Sequence, residues 1–168
     1  METISRELDV AWLAGIVDGE GWIGCYDNKA RRHRQLKVNV GNTDPYMIWK
    51  VTTILKSLGL KFYYSLQCHV GYKEMLSVEV SGNRNVYKLL TALLPHLTRS
   101  APQAKLIIDY LDWRFQFNEK GPAPEDIKAR QENLIKSLTE LKTRRYSLQR
   151  LPRSASEPLD LSRLEAMV

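Results

Sequence analysis

The stretch that decides the fold is nine residues long and reads Leu13-Ala14-Gly15-Ile16-Val17-Asp18-Gly19-Glu20-Gly21. It closes a helix that the apolar spacing predicts from Ser5 to about Gly21. Ser5 is a suitable N-cap residue, and Gly21 is a typical helix stop. One face of this predicted helix carries the residues Leu8, Ala11, Trp12, Gly15 and Ile16.

The last two turns of the predicted helix break two local rules. Gly15 and Gly19 share a face and leave it almost without side chains, although glycine inside a helix costs about 0.5–1 kcal/mol against alanine. Asp18 and Glu20 stand in the last turn, where the helix dipole disfavours anions. Spacing alone leaves two interpretations open, an ordinary amphipathic helix with solvent-facing acids or a functional helix end. A bare face would also let a second helix approach closely.

Beyond this helix, alternating apolar and polar residues predict two β-hairpins, each followed by a helix. In the first hairpin, a basic turn at 30–34 precedes a strand with Leu36, Val38 and Val40 on one side. The order helix, hairpin, helix, hairpin, helix, helix is typical of an α+β domain with helices on one face of an antiparallel sheet. The elements after the first helix are expected over residues 22–40, 42–58, 61–81, 83–94, 102–117 and 125–141.

Three parts of the chain are expected from the distribution of proline, serine and charge. Residues 1–120 would form the core domain, and 121–150 a C-terminal helix and basic loop packed on that core. Residues 151–168 are expected to be a weakly ordered tail. The sequence contains no internal repeat, so the nine-residue stretch occurs once.

Composition indicates a soluble protein with a polyanionic partner. Of the 168 residues, 43% are hydrophobic, and the formal net charge of +6 favours nucleic acid over a membrane. Cys25 and Cys68 have no metal-ligand spacing, so neither a zinc site nor a disulfide framework is expected. The acidic start and the lack of a long apolar run predict a soluble intracellular protein. They leave its compartment open between an organelle and an archaeal or bacterial cytoplasm.

The nine-residue stretch resembles the motif of the LAGLIDADG homing endonucleases. The positions that match outright are Leu13, Ala14, Gly15, Asp18 and Gly21. The conservative replacements are Ile16, Val17, Gly19 and Glu20. The order of predicted elements also resembles the αββαββα core of this family, and the likeness covers residues 9–145. The resemblance implies a site-specific double-strand DNA endonuclease of the kind that acts in intron homing.

Because the motif occurs once, the resemblance implies a homodimer that recognises a long pseudo-palindromic site in double-stranded DNA. In this family two motif helices lie side by side at the subunit interface. Asp18 is expected to be structural, helping to set the helix end and the interface, and not to bind metal directly. The residues expected at the interface are Leu13, Gly15, Ile16, Asp18 and Gly19.

The resemblance also implies a catalytic centre at the end of the motif helix. Glu20 and the backbone carbonyl of Gly19 would bind Mg²⁺ at a site that Mn²⁺ or Ca²⁺ could also occupy. Asn42, at the end of the second strand, would orient water. An interpretation without the family makes Asn42 a helix cap before Pro45, and both roles could hold at once.

The family places a basic residue, often lysine, in the loop before the helix that starts here near Pro102. This chain has Thr98-Arg99-Ser100 in that loop, so no lysine stands in the expected place. Arg99 is the nearest cation and the expected catalytic partner of Glu20, with Lys105 as a weaker candidate.

The sheet face opposite the helices is predicted to read DNA in the major groove. Its polar side chains and the basic hairpin tip would contact bases or phosphates, and a basic cluster after the last helix would contact phosphates beside the cut. A solvated sheet face and a solvated charge run are the plain alternatives. Glu79 is expected on the same face. The expected DNA contacts are Tyr26, Asn28, Arg31, Arg32, His33, Arg34, Gln35, Lys37, Asn39, Tyr63, Ser65, Gln67, Lys73, Ser77, Lys142, Thr143, Arg144 and Arg145.

Two other functions are compatible with the same fold, an RNA-splicing maturase and a DNA-binding regulator that has lost cleavage. The acid at Glu20 favours the enzyme, because a protein that only binds DNA has no need of an anionic charge beside phosphates. RNA stays open as a second partner, because one protein of this fold could both cut DNA and assist splicing.

Overall fold

The structure, a computed structural model, describes residues 2–28, 33–68, 71, 73–117 and 125–149, without the side chains of 2–4, 27–28, 33 and 144–149. None of the helices in these ranges is long and apolar enough to cross a membrane. The elements are α1 (Glu2–Glu20), β1 (Gly21–Asn28), β2 (His33–Asn42), α2 (Pro45–Ser57), β3 (Tyr63–Gln67), β4 (Met75–Ser81), α3 (Asn83–Leu93), a 3-10 turn (Leu94–His96), α4 (Ala101–Arg114) and α5 (Glu125–Gln149).

The four strands form one antiparallel sheet in the order β1-β2-β4-β3. Val40 in β2 pairs with Gly21 of β1 on one side and with Val78 of β4 on the other. The two predicted hairpins are thus joined through their second strands. Helices α1, α2 and α3 all pack against β2. These contacts confirm the predicted α+β class, with helices on one face of an antiparallel sheet.

The hydrophobic core lies between the sheet and the helices. Because side chains alternate along a strand, β2 directs Leu36, Val38 and Val40 into the core. Helix α5 lies against α4 and β1 and adds Leu134 and Leu138 to the same core. The opposite sheet face carries the polar residues, so the sequence pattern of β2 and the layering agree.

Helix α1 turns Leu13 into this core, where only 1% of its surface is exposed. A rotation of about 100° per residue places Leu13 on the same side as Val10, Ala14 and Val17, which are also buried. The expectation that Leu13 contributes to a subunit interface is therefore wrong. Its role is to hold α1 on the sheet.

The start of α2 differs from the predicted one. Asp44 is the N-cap, and its side chain accepts the backbone N–H of Tyr46 at 2.8 Å. Asn42 is instead the last residue of β2, and its Oδ1 accepts the backbone N–H of Asp44 at 2.8 Å. Asn42 thus shapes the turn that leads into the helix, while Asp44 caps it.

Helix α5 continues to Gln149, so residues 142–145 are helical. The expected basic loop at this place is therefore a helix surface. Several predictions fall outside the described part of the chain: Arg31 and Arg32, the side chains of Asn28, His33, Arg144 and Arg145, and the tail 151–168.

Candidate functional site

The end of α1 is tied to the loop before α4 by the side chain of Asp18. Its carboxylate accepts the backbone N–H groups of Thr98 at 2.6 Å, Arg99 at 3.0 Å and Ser100 at 2.7 Å. Burial raises the pKa of this carboxyl, but the hydrogen bonds outweigh burial and hold the pKa of Asp18 below its ordinary value of 3.8. Asp18 is therefore an ionised link between two segments of one chain. A further place for it in a subunit interface stays a prediction.

The same loop brings a cation to the end of the helix. Nη1 of Arg99 donates a hydrogen bond to the backbone oxygen of Asp18 at 3.1 Å. A cation at this position also interacts favourably with the negative end of the helix dipole. Asp18 and Arg99 thus hold each other through backbone groups, and the guanidinium of Arg99 lies beside the helix end that carries Glu20.

The turn from α1 to β1 brings the three predicted catalytic residues to one end of the sheet. Glu20 ends α1, and Gly21 begins β1 with no residue between them. Glycine is required there, because a Cβ at Gly21 would lie 2.6 Å from the backbone oxygen four residues earlier. Gly21 pairs with Val40, two residues before Asn42. Glu20 and Asn42 therefore stand at the same end of the β1–β2 ladder, where Arg99 also lies.

The donors at this helix end suit a hard divalent cation, which prefers oxygen ligands. Glu20 is exposed and, within the described ranges, has no hydrogen-bond partner. The carbonyl of Gly19 belongs to the last helical turn, where carbonyls lack intrahelical partners. Among the residues described, no three or more His, Cys, Asp or Glu form a cluster that could hold a metal. One chain therefore offers one available carboxylate and neighbouring carbonyls, a set that fits an ion retaining several waters.

The glycine face of α1 is open in the single chain. A Cβ added at Gly15 or Gly19 would meet no atom within 4 Å. Leu8, two turns before Gly15, is 66% exposed, and Ile16 is half-buried beside the glycines. The bare face that the sequence predicts is thus on the outside of the molecule, opposite the face that Leu13 anchors in the core.

The register places the predicted DNA-contacting side chains together on the polar sheet face. Tyr26 pairs with Gln35, Asn39 with Glu79, and Glu79 with Tyr63. Directly paired residues of an antiparallel sheet share a face. Exposure is high at the rims, with Tyr26 at 50% and Tyr63 at 63%. Ser65, Gln67 and Lys73 are exposed as well.

The centre of this face is linked by polar contacts between β2 and β4. Nζ of Lys37 lies 2.8 Å from Oε1 of Glu79 and 4.6 Å from the centre of the Tyr26 ring. Nδ2 of Asn39 donates to Oγ of Ser77 at 2.8 Å, and the hydroxyl of Ser77 is 3.0 Å from Oδ1 of Asn39. These side chains are held in fixed positions before any partner binds.

Ser77 differs from the prediction that it contacts DNA. It is 1% exposed, and its neighbour Met75 lies over the adjacent Gly41, with its sulfur 3.2 Å from the position of an added Cβ. The hydroxyl of Ser77 is therefore committed to Asn39. It orients the Asn39 amide and does not reach a partner itself.

Solved structures with the same arrangement of elements are homing endonucleases. I-CvuI, solved with a DNA target, is 22% identical, covers 82% of this chain and 83% of its own, and gives a TM-score of 0.61. The archaeal intron-encoded I-Vdi141I, complexed with DNA, is 12% identical over 85% of each chain, with a TM-score of 0.53. This chain has the LAGLIDADG fold. No protein-family model and no curated protein matches its sequence.

A third structure extends the comparison. The meganuclease I-SmaMI, bound to uncleaveable DNA, is 13% identical and gives a TM-score of 0.51. The match covers 74% of this chain but only 44% of I-SmaMI. The present chain therefore corresponds to less than half of the I-SmaMI chain, whereas it spans most of I-CvuI and I-Vdi141I.

Arg34 occupies a different place in the LAGLIDADG fold than the sequence suggested. It belongs to β2 and pairs with Asp27, so its side chain has the opposite parity to Gln35 and leaves the polar face. Nη1 of Arg34 lies 3.3 Å from Oε1 of Glu132 in α5. Arg34 therefore does not belong to the face that would read bases, and a contact of Arg34 with the DNA backbone stays a prediction.

Helix α5 brings Lys142 from the edge of the sheet to the polar face. Nζ of Lys142 lies 4.6 Å from the centre of the Trp22 ring. A Cβ at Gly24 would lie 2.8 Å from that ring and 3.3 Å from Nζ, so only glycine leaves room for both groups. Thr143 hydrogen-bonds the backbone oxygen of Thr139 at 3.0 Å and is exposed.

Trp22 was not among the predicted site residues. Its position four residues before Tyr26 gives both side chains the same parity in β1, which would have placed Trp22 on the polar face. The aromatic ring positions Lys142 there, and no sequence pattern indicates a contact between residues 120 positions apart.

Proposed function

We propose that this chain is a site-specific, Mg²⁺-dependent DNA endonuclease that acts as a homodimer on a long pseudo-palindromic site. The observation that carries the proposal is the exposed carboxylate of Glu20 at the end of α1, where Arg99 bonds the preceding helical carbonyl and Asn42 lies at the same end of the β1–β2 ladder. Such an acid would weaken a surface that only binds phosphates. It is useful where a phosphodiester is hydrolysed with a cation.

Binding to double-stranded DNA is supported by the polar face. A four-stranded antiparallel sheet presents paired donors and acceptors at a spacing that suits base edges in the major groove. The net charge of +6 favours association with a polyanion. I-CvuI and I-Vdi141I are described in complex with DNA, and we extend that property to this chain.

The catalytic residues would act on one scissile phosphate per chain. Glu20 and the Gly19 carbonyl would hold a divalent cation, which would polarise the phosphate and offset its charge. Arg99, fixed by its hydrogen bond to the Asp18 carbonyl, would stabilise the negative charge that develops on the phosphate oxygens. Asn42 would orient the attacking water through its amide nitrogen, because its amide oxygen already accepts the Asp44 N–H.

A second copy is required because two strands must be cut and each chain supplies one Glu20. The open glycine face of α1 would place two helices in close contact around a two-fold axis, with the same residues on both sides. Gly15, Ile16 and Gly19 would form that contact. The comparisons support this view. The chain corresponds to most of I-CvuI but to less than half of I-SmaMI, so one I-SmaMI chain has room for two units of this size.

The proposal is tested by separating binding from cutting. Duplexes selected from a randomised pool with the Glu20→Gln variant, which should bind without cutting, are incubated with Mg²⁺ and each protein. Wild type and Glu7→Gln, a matched change at an exposed acid of the same helix, should cut both strands, and Glu20→Gln should cut neither. Tight binding without cutting by the wild type would favour a regulator. Enrichment of RNA in a parallel selection, with no enriched duplex, would favour a maturase.

A further inference from the structure

The Lys37–Glu79 ion pair lies in the centre of the polar face, on the two middle strands β2 and β4. Nζ and Oε1 are 2.8 Å apart, and the two side chains retain 16% and 29% exposure, so both remain accessible from the open side. We propose that this pair reads one G·C base pair in each half of the target, with Lys37 on guanine and Glu79 on cytosine. This inference rests on the proposed function, because it assigns a base to the proposed DNA-reading face.

The pair is held in a fixed geometry by its neighbours. The ammonium of Lys37 lies 4.6 Å from the centre of the Tyr26 ring. Glu79 stands between Asn39 and Tyr63, its direct partners across the sheet. Ordering a long lysine and a glutamate normally costs conformational entropy on binding. Here that cost is met on folding, so the donor and the acceptor are already placed.

The hydrogen-bond donors and acceptors that the ion pair leaves unused match the acceptors and donors of a G·C base pair in the major groove. After one bond to Glu79, Lys37 keeps two N–H donors, and guanine presents two acceptors, N7 and O6, in the major groove. The carboxylate of Glu79 keeps acceptor positions, and cytosine presents the N4 amino donor. Guanine O6 and cytosine N4 are themselves hydrogen-bonded at about 2.9 Å, close to the separation of Nζ and Oε1.

The other base pairs fit this arrangement less well. T·A keeps an acceptor opposite Lys37 and a donor opposite Glu79, but it replaces guanine N7 by a methyl group. A·T and C·G place an amino group against the ammonium and a carbonyl oxygen against the carboxylate. The expected order of preference is therefore G·C first, T·A second, and A·T and C·G last.

A purely structural ion pair would have different consequences. Cross-strand pairs of opposite charge stabilise a sheet whatever binds to it. Exchanging the two residues would then alter thermal stability slightly and leave every base preference unchanged. A reading role requires instead that exchanging donor and acceptor invert the preferred base pair.

The test is a selection from randomised duplex DNA, performed with the full chain and with the double variant Lys37→Glu/Glu79→Lys. The exchange keeps net charge and the ion pair. We expect one position in each half-site to change from G·C to C·G by about tenfold or more, with the remaining positions unchanged. The matched control exchanges Lys128 and Glu125, a 3.0 Å pair on α5 away from the sheet, and should alter no position.

The single variant Glu79→Gln keeps the experiment decisive if the exchange impairs folding. It should reduce the G·C preference at that same position, because an amide can face either a donor or an acceptor. An enriched motif that is identical for wild type and both variants would overturn this inference alone. No enriched duplex with the wild type would overturn the proposed function, and this inference with it.

Discussion

The carboxylate of Asp18 accepts the backbone N–H of Ser100 at 2.7 Å and so joins the end of α1 to the start of α4. Ser100 is the N-cap of α4 but makes no capping hydrogen bond with its own side chain. The C-terminal end of α1 disfavours an anion, but the Asp18 carboxylate also lies at the N-terminal end of α4 and stabilises that end. The link also positions Arg99, whose side chain returns to Asp18.

Replacing Asp18 by asparagine should destabilise the fold. An amide cannot accept from Thr98, Arg99 and Ser100 as a carboxylate does, and charged hydrogen bonds contribute more than neutral ones. Because the site is partly exposed, we expect a loss of about 1–2 kcal/mol in the free energy of unfolding, measured by urea denaturation. Glu7→Gln, at an exposed acid of the same helix, should change this free energy little. Equal effects of the two changes would contradict the linking role of Asp18.

The stabilisation by Asp18 should depend on pH in a defined direction. The pKa of Asp18 in the folded chain lies below the ordinary 3.8, so its contribution is present above pH 3.8 and is lost as the pH falls through the folded value. The difference in unfolding free energy between wild type and Asp18→Asn should therefore be constant from pH 7 to 5 and should shrink towards pH 3. A difference that grows on acidification would show that the carboxylate is not stabilised in the fold.

Enlarging the glycine face should separate the subunits without harming the single chain. A Cβ at Gly15 meets nothing within 4 Å, and leucine favours a helix by about 0.8 kcal/mol over glycine. Gly15→Leu should therefore fold at least as stably as a monomer while its dimer dissociation constant rises by tenfold or more, measured by sedimentation. Lys136→Leu, exposed on α5, is the control. Dimers of undiminished affinity in Gly15→Leu would place the interface elsewhere.

Lys142 should contribute to DNA affinity through phosphate. Its ammonium is held over Trp22 on the polar face, and each phosphate contact contributes about 0.9 to the slope of log affinity against log salt. Lys142→Gln should reduce that slope by about this amount for each subunit, measured by fluorescence anisotropy between 50 and 200 mM salt. Lys136→Gln, on another face of the same helix, should leave the slope unchanged, and equal slopes for all three proteins would exclude the contact.

The sequence predicts the layers of this fold well because its periods are local. The alternation of Leu36, Val38 and Val40 already separates the core face from the polar face. Along α1 the same logic does not separate Leu13 from the interface residues, because the segment that resembles an interface motif also contains the residues that anchor the helix in the core.

Contacts between distant segments were beyond the reach of sequence patterns. Arg34 pairs with Glu132 across 98 positions, and Asp18 bonds the loop at Ser100 across 82. Neither separation has a period, so the sequence predicts a structural role for Asp18 at the helix end but not its partners, and it does not predict the contact of Arg34 with α5. The continuation of α5 through Lys142 was missed because basic residues end a helix as readily as they extend one.

The most direct test of the account is a mixed dimer of one wild-type chain and one Glu20→Gln chain, purified through two different tags. On a supercoiled plasmid carrying a selected target, with Mg²⁺, this dimer should nick one strand, while the wild-type dimer makes linear plasmid and the double Glu20→Gln dimer leaves it intact. Linear product from the mixed dimer at the wild-type rate would contradict the claim that each chain brings one Glu20 to one strand.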